Sequence, residues 1–494
     1  MYCISAWLPL LLESAGERRI KSTGYIPPHP SLLPQGRRGT HMTRYPRFKG
    51  GNLLKNQWLD RFLRSRWYPG IIQWPTLVIF AVIIYQLMLG PSAAHENLGT
   101  ALTWVFWWPV IPIIFLFLGR FWCAICPFAT INDFVQKVVG NNRPVPRFLK
   151  KYGVWIIDAS FIFITWSDHV WGVVGSPVGS GVLLLILTTG VVASGAFYER
   201  RTFCRHVCFL GGLAGNYAQA GMLSLHGTPE ICAKCDTASC YKGTEIPPGC
   251  PMFEFPRTMS SSANCVLCGD CLKNCPNGSI QLTLRLPTKE LWFVHKPKVE
   301  AAFLAAVIMG IVFVQNVTML EVWASMLSWL ETLTGTTSYY VNFSITFLVA
   351  IILPVSLLGL ASFVAARNNK ASFVVNFARF GYAIIALDLA AHIAHNLFHM
   401  LAEGKSILYT GLALFGVDSQ GASTALISTP TIQILQFGLI GLGFIGSLYI
   451  VYRIANAYHE GKVIWATFTP YAVLMGGLCI LNIALFTLPM GMRM

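Results

Sequence analysis

Read for polarity alone, the chain is a series of long apolar runs joined by short polar connections, with a polar start and one long polar interruption near its middle. A bilayer crossing needs about 20 apolar residues. By that measure spans are expected at about 70–90, 101–119, 152–168, 178–197, 299–319, 341–365, 373–400, 431–453 and 464–489, nine in all. The pattern predicts a mainly α, polytopic membrane protein. It divides the chain into a polar arm (1–69), a four-helix membrane domain (70–197), a hydrophilic block (198–298) and a five-helix membrane domain (299–494).

Composition agrees: 54% of residues are hydrophobic and 12% charged, against about a quarter charged in soluble proteins. The formal net charge of +15 would suggest nucleic acid in a soluble chain. Here the excess lies beside apolar spans, so lipid is the expected partner and nucleic acid is not. Residues 1–69 hold twelve Lys and Arg against Glu13, Glu17 and Asp60, and read as a basic, largely unstructured cytoplasmic arm. Trp7–Leu12 lacks the flanks of a secretory signal, and Met42 is an alternative start. Arg120, Lys137, Arg143, Arg147, Lys150 and Lys151 follow the second span, and Arg200, Arg201 and Arg205 the fourth. The opposite connections carry Glu96, Asp168, Glu321, Glu331, Glu403 and Asp418, with Lys405 as their only basic residue. By the positive-inside rule the N-terminus and the polar block are cytoplasmic, the C-terminus lies outside, and the membrane is the cell's inner one.

The polar block carries the chemistry. It contains Cys232-x2-Cys235-x4-Cys240, Cys250-Pro251 and Cys265-x2-Cys268-x2-Cys271-x3-Cys275-Pro276. The last run has the spacing that holds iron–sulfur clusters, in which the fourth cysteine ligates the other cluster of a two-cluster ferredoxin. Cys250, Cys265, Cys268 and Cys271 are therefore expected at one [4Fe-4S] centre, and Cys232, Cys235, Cys240 and Cys275 at a second. The first run departs from regular spacing by two residues before its third cysteine. One tetrahedral zinc suits such a run poorly, and disulfides would need an oxidising compartment. Block 198–298 is thus expected to be a cytoplasmic, ferredoxin-like α+β insert stabilised by its own clusters, because ligation that exists only in the folded state is folding free energy.

A second set of cysteines lies at the membrane surface. Gly119-Arg-Phe-Trp-Cys123-Ala-Ile-Cys126-Pro127 ends the second span, and Arg200-Arg-Thr-Phe-Cys204-Arg-His-Val-Cys208-Phe209 ends the fourth. Both follow an outside-to-inside crossing, which places an approximate repeat on one face. This order of motifs, over about 70–298, resembles the membrane-bound polyferredoxins of the NapH, NosR and CcoG type. The resemblance implies electron transfer between the quinone pool or a cytoplasmic donor and a partner redox or assembly system. Against that family's C-x3-C-P, the first pair is one residue shorter and the second has Phe209 in place of proline. Cys123, Cys126, Cys204 and Cys208 read as a third metal centre or a thiol-exchange unit, or else as small hydrophobic packing. Cys3 and Cys479 read as structural or incidental.

The C-terminal half adds one stripe. Asp388, His392, His395 and His399, extended by Glu403, share one face of the seventh span at 100° per residue. Ionisable groups at membrane depth are costly and are a functional hypothesis by default. Three chemistries fit: a metal ion held by imidazoles with Asp388 orienting His392, a proton relay serving a quinone, or haem b. Haem would need a second histidine, and His95, His169, His295 and His459 are the others near the membrane. No G-x-G-x-x-G follows a strand, so hydride chemistry is not expected. The leading reading is a membrane iron–sulfur electron-transfer protein, as a relay or a quinol dehydrogenase subunit. The alternatives are a metal-handling or assembly factor, such as a metal reductase for copper-enzyme maturation, and a redox-responsive regulator. The sequence leaves open the donor, the acceptor, the direction of electron flow and the oligomeric state.

Overall fold

The computed structural model describes residues 51–245, 247–293, 296–417 and 422–489. Most of residues 1–69, with Cys3 and Met42, and also His295 and Asp418, lie outside the described residues. The chain is mostly helical. Its principal elements are α1 (Gln57–Arg64), α2 (Gly70–Leu89), α3 (Trp108–Leu118), α4 (Pro127–Val139), α5 (Arg147–Trp171), α6 (Pro177–Phe197), α7 (Phe209–Ala220), β1 (Leu223–Gly227), α8 (Asp270–Asn274), β2 (Ile280–Leu284), α9 (Val299–Val317), α10 (Val322–Thr334), α11 (Tyr339–Asn369), α12 (Phe373–Phe380), α13 (Ile384–Ala402), α14 (Thr429–Tyr458) and α15 (Lys462–Thr487).

Among the described residues, eight helical runs are long and apolar enough to cross a membrane: Gly70–Leu89, Leu98–Val139, Pro177–Phe197, Val299–Val317, Tyr339–Asn369, Phe373–Ala402, Thr429–Tyr458 and Lys462–Thr487. The ninth expected span, 152–168, lies in helix α5 but is not among them. That helix carries Arg147, Lys150, Lys151, Asp158 and Asp168, so its apolarity falls short although its length does not. Burial separates the helices by role. Only Leu87 of α2 is buried, while Ile71, Trp74, Val78 and Ile79 face outward, as expected of a helix against lipid. In α13 every residue from Ile384 to Asn396 is buried, and α9 is nearly as enclosed. One apolar core runs from Ile111 and Phe115 of α3 through α7 and α9 to α13 and α15, so the two membrane halves pack as one body. Small residues let the central helices close up. A Cβ on Gly443 of α14 would stand 2.5 Å from Ala390 Cβ on α13, the close approach that glycine permits between membrane helices.

The second helical run is not straight. Ala101–Trp107 is π-helical, the chain turns at Gly119 (φ +59°), and after one turn at Trp122–Ile125 it restarts as α4. A π-helical turn widens the helix and re-aims its side chains. This bend holds the first cysteine pair at the end of α3.

The polar block is tied at both ends. β1 and β2 pair antiparallel, with Leu223 opposite Leu284 and Gly227 opposite Ile280, which brings the start and finish of the block side by side. Buried Arg285 donates to Gly221 O (2.7 Å) and Ala218 O (2.8 Å), satisfying carbonyls left open at the end of α7. Its ion pair with Glu290 continues to Ser261 and Ser262. The expectation of a largely unstructured arm needs correcting over its last residues. Asn52 bridges Thr283, Asn56 caps α1, Arg64 donates to Leu272 O (2.7 Å) and the Tyr68 hydroxyl to Leu267 O (2.6 Å). Leu53, Leu54, Leu59 and Leu63 pack on Leu225, Leu272, Ile280 and Leu282, so apolar contact orders a segment whose charge alone suggested disorder.

Candidate metal centres

Cys250, Cys265, Cys268 and Cys271 line one small cavity, together with Leu225, Glu254, Met259, Val266 and Leu267. Local backbone explains the convergence. Leu267 and Gly269 have positive φ (56° and 81°), which folds the C-x2-C-x2-C run back on itself, and Cys271 then rides on the short α8. Cys275, at the end of α8, has left this group. The thiols electrostatically coupled to Cys240 are Cys275, Cys232 and Cys235, and Cys232 and Cys275 both contact Ser279, Cys232 Sγ at 2.9 Å from its Oγ and Cys275 Sγ at 3.3 Å from its backbone N–H. Cys250, Cys265, Cys268 and Cys271 thus lie together at one cavity, and Cys275 lies with Cys232, Cys235 and Cys240. Cys240 also lies close enough to Cys271 to act on its charge, so the two groups are neighbours.

The paired motifs at the helix ends meet as well. Cys123, Cys126, Cys204 and Cys208 line a second small cavity, with Arg120, Trp122, Phe128, Arg201, Met252 and Val266. The two cavities are similar in size and each is lined by four thiols. Val266 lines both. Cys126 and Cys208 occupy equivalent places, each the cap residue before a helix, α4 and α7. Two helix N-termini, with their partial positive charge, therefore face the cavity and favour anionic sulfur. The missing proline also has a local account. Pro127 starts α4 from its first position, where proline is suited, whereas Phe209 starts α7 and stacks on Phe161 at 6.1 Å.

Arginines that the sequence offered only as topology signals frame this second cavity. Buried Arg120 reaches Cys123 Sγ (3.4 Å) and donates to Ala263 O (2.8 Å), two residues before Cys265. Fully buried Arg201 donates to Cys123 O (3.1 Å) and pairs with Asp133 at 2.7 Å. Arg200 joins Asp133 to Gly249 O and Asp270, the neighbours of Cys250 and Cys271. A Cβ on Gly211 would meet Arg120 at 3.0 Å and Cys204 O at 2.9 Å, so α7 can press against this frame only through glycine. Each arginine stands beside a cysteine motif, which is the signal that could have found it.

Among the described residues no three or more His, Cys, Asp or Glu side chains are placed to hold a single metal ion. Four thiolates on one zinc, at about 2.3 Å each, would lie roughly 3.8 Å apart, whereas thiols around a cube of iron and sulfide lie at the edges of a larger void. Burial pushes Cys204, Cys208 and Cys265 up to about 12, with neighbouring sulfurs adding to the effect at Cys204 and Cys208, and lifts Cys268 and Cys271 further. Buried thiols of this kind ionise readily only when a cation shares the site. Cys235 is the contrast: at the outer edge of the block, its thiol is held low by the Thr237 hydroxyl.

The stripe on α13 behaves differently from the metal site expected of it. Asp388, His392, His395 and His399 are all buried on one face, but they do not converge on one point. The Tyr217 hydroxyl of α7 stands between Asp388 Oδ2 (3.2 Å) and His392 Nδ1 (3.1 Å). His395 Nδ1 lies 2.9 Å from Asn316 Oδ1, and His399 Nδ1 3.6 Å from Glu403. Each group is taken by a different neighbour, so the ion-ligand reading gives way to a hydrogen-bonded line. His169 stacks on Phe343 at 5.0 Å, and His95 is 83% exposed beside Glu96. Tyr217 carried no signal in the sequence, because only the fold brings α7 to α13.

No curated protein and no solved structure matches the chain. A family model described as a 4Fe-4S binding domain matches residues 100–146 and 180–221. These two segments hold the helix-end cysteine pairs Cys123/Cys126 and Cys204/Cys208, and the match supports an iron–sulfur protein of ferredoxin type.

Proposed function

We propose that this protein is a membrane-bound relay with three [4Fe-4S] centres in line: Cys232/Cys235/Cys240/Cys275 outermost, Cys250/Cys265/Cys268/Cys271 in the middle, and Cys123/Cys126/Cys204/Cys208 at the membrane. The observation that carries the reading is the second four-thiol cavity, which shares Val266 with the first and coincides with both matched segments. Such clusters supply reversible one-electron chemistry. The chain's own contribution is to hold the thiols in dry, closely spaced cavities and to lay arginines across the joints, which offsets the negative charge of thiolate-ligated centres. The outer group ends at half-buried Cys235, among exposed Lys234, Asp236 and Thr237, where a soluble redox partner can approach. The inner group ends against the membrane helices, where a lipid-soluble quinone is the carrier of matching location. Basic loops put the clusters on the cytoplasmic side of the inner membrane. The likeness to NapH-, NosR- and CcoG-type proteins supports this direction of reading, and a metal-delivery role has no single-ion site among the described residues to recommend it.

Iron analysis and EPR of the anaerobically purified protein test the proposal. About twelve irons and three signals are expected from three four-iron centres, with one signal and about four irons lost in Cys204→Ser. Eight irons in both proteins would remove the third centre. If dithionite reduces the clusters and a quinol reduces none of them, the quinone assignment fails while the relay stands.

A further inference from the structure

From the second thiol cavity a chain of rings leads into the membrane body. Trp122 lines the cavity, its ring lies 5.7 Å from Trp107, Trp107 lies 5.9 Å from Trp108, and Trp108 lies 6.0 Å from His392. Two of these tryptophans, Trp107 and Trp108, sit where the π-helical stretch passes into α3. The chain ends on the group in which Tyr217 joins Asp388 and His392. Asp388 is fully buried, and its Oδ1 has no hydrogen-bond partner among the described residues. From there the polar face of α13 continues through His395, whose ring lies 5.3 Å from that of His399, to Glu403, which is partly exposed at the far end of the helix. Fifteen residues at 1.5 Å each carry this line about 22 Å. An uncompensated carboxylate inside such a body is expensive, and it stands at the far end of the ring chain that begins at the cavity.

We infer that reduction of the centre at Cys123/Cys126/Cys204/Cys208 is coupled to uptake of one proton by Asp388, delivered along His399, His395 and His392 from the aqueous face at Glu403. The inference rests on reading those four cysteines as a cluster site. The balance is simple: the centre gains one electron from its neighbour in the relay, one proton leaves the water beyond Glu403, and an O–H bond forms at Asp388 Oδ2 as the Tyr217 hydroxyl gives up its own proton and takes the one from His392 Nδ1. The net charge of the buried region is then unchanged, so the low-dielectric cost of placing an electron there is removed. From neighbouring elements Tyr217 of α7 meets Asp388 and His392, Trp108 of α3 packs on His392, Asn316 of α9 meets His395, and Gln436 of α14 donates to Ala394 O; of these only Tyr217 titrates. Asp158 of α5 faces Glu300 of α9; Arg285 is paired with Glu290 at the end of α7.

The test is a redox titration of the whole protein in lipid nanodiscs at a series of pH values, following by EPR the signal that Cys204→Ser removes. For one proton per electron the midpoint should fall by about 59 mV for each tenfold drop in proton concentration. The slope should flatten by more than half in Asp388→Asn and in His392→Gln, each with its iron content unchanged. A midpoint independent of pH in the unaltered protein would overturn the inference, as would a slope that survives both substitutions. Protein with only two cluster signals would overturn this inference together with the three-centre relay, whereas three signals with a flat profile would sink this one alone.

Discussion

The two thiol cavities hold the same number of sulfurs in nearly the same volume, yet they are built in opposite ways. The first is folded from one short stretch plus Cys250, by left-handed turns within the run. The second is assembled from two helix ends separated by almost eighty residues, and it exists only because buried arginines hold those ends to each other and to the block. A site made locally depends on its ligands to fold the surrounding chain. A site made between helices depends on the helices to present its ligands.

Breaking the local site should therefore do the most damage. Cys268→Ser or Cys271→Ser should remove about four irons and also unfold the block between β1 and β2, since the metal supplies folding free energy there. Limited proteolysis should then cut within 228–279, and resistance equal to the unaltered protein would show that the apolar contacts of α1 suffice alone. Next in size is the frame of the second cavity. Asp133→Ala strands two guanidinium groups, one of them fully buried, and loss of one partner from a buried pair costs about 3–5 kcal/mol. Thermal unfolding should reveal that loss, accompanied by iron missing from the interhelix site and not from the block. By contrast, Cys204→Ser should lose about four irons with little change in the melting of the helical body. A large drop would mean that this centre too is a folding element.

Proton balance sharpens the comparison further. Cys204, Cys208 and Cys265 have thiols raised from the ordinary 9.0 to about 12. A group raised in the folded state stabilises it fully below the unfolded value, and the contribution is lost as pH climbs toward the folded one. Cluster-free protein should accordingly lose stability from about pH 9 upward, while iron-loaded protein, whose thiolates are already ionised, should not follow it. Melting curves at pH 8 and pH 10 in the two states compare them directly. The smallest effect is expected at Gly227, where a Cβ would lie 2.7 Å from Cys232 Sγ. Gly227→Ala should cost about 1–3 kcal/mol by overpacking and perturb only the signal of the outer group.

How much could be read in the sequence follows the same division. Helix positions and the local cysteine run were legible because hydrophobic length and ligand spacing are properties of contiguous residues. The pairing of Cys123/Cys126 with Cys204/Cys208 was visible as a repeat, but not as one cavity, since spacing says nothing about which helix ends meet. Arg120, Arg200 and Arg201 were read for their charge alone, and their burial against Asp133 and backbone carbonyls is a tertiary fact. The stripe on α13 was correct in periodicity and wrong as an ion site. Periodicity fixes a shared face, whereas Tyr217 and Asn316, which come from other helices, decide what each side chain there bonds to. Residues 51–69 were misjudged because charge density hid four leucines that find an apolar partner only in the folded block.

The antiparallel ribbon of β1 and β2 has a consequence for how such a molecule can change over time. Because the chain leaves the membrane body and returns to it through hydrogen-bonded neighbours, the segment between them places almost no closure constraint on the helices on either side. The roughly fifty intervening residues behave as a cassette. They can lengthen or shorten in loops away from Gly249, Ala263 and Asp270, where the arginines of the second cavity take hold, without moving the helices on either side.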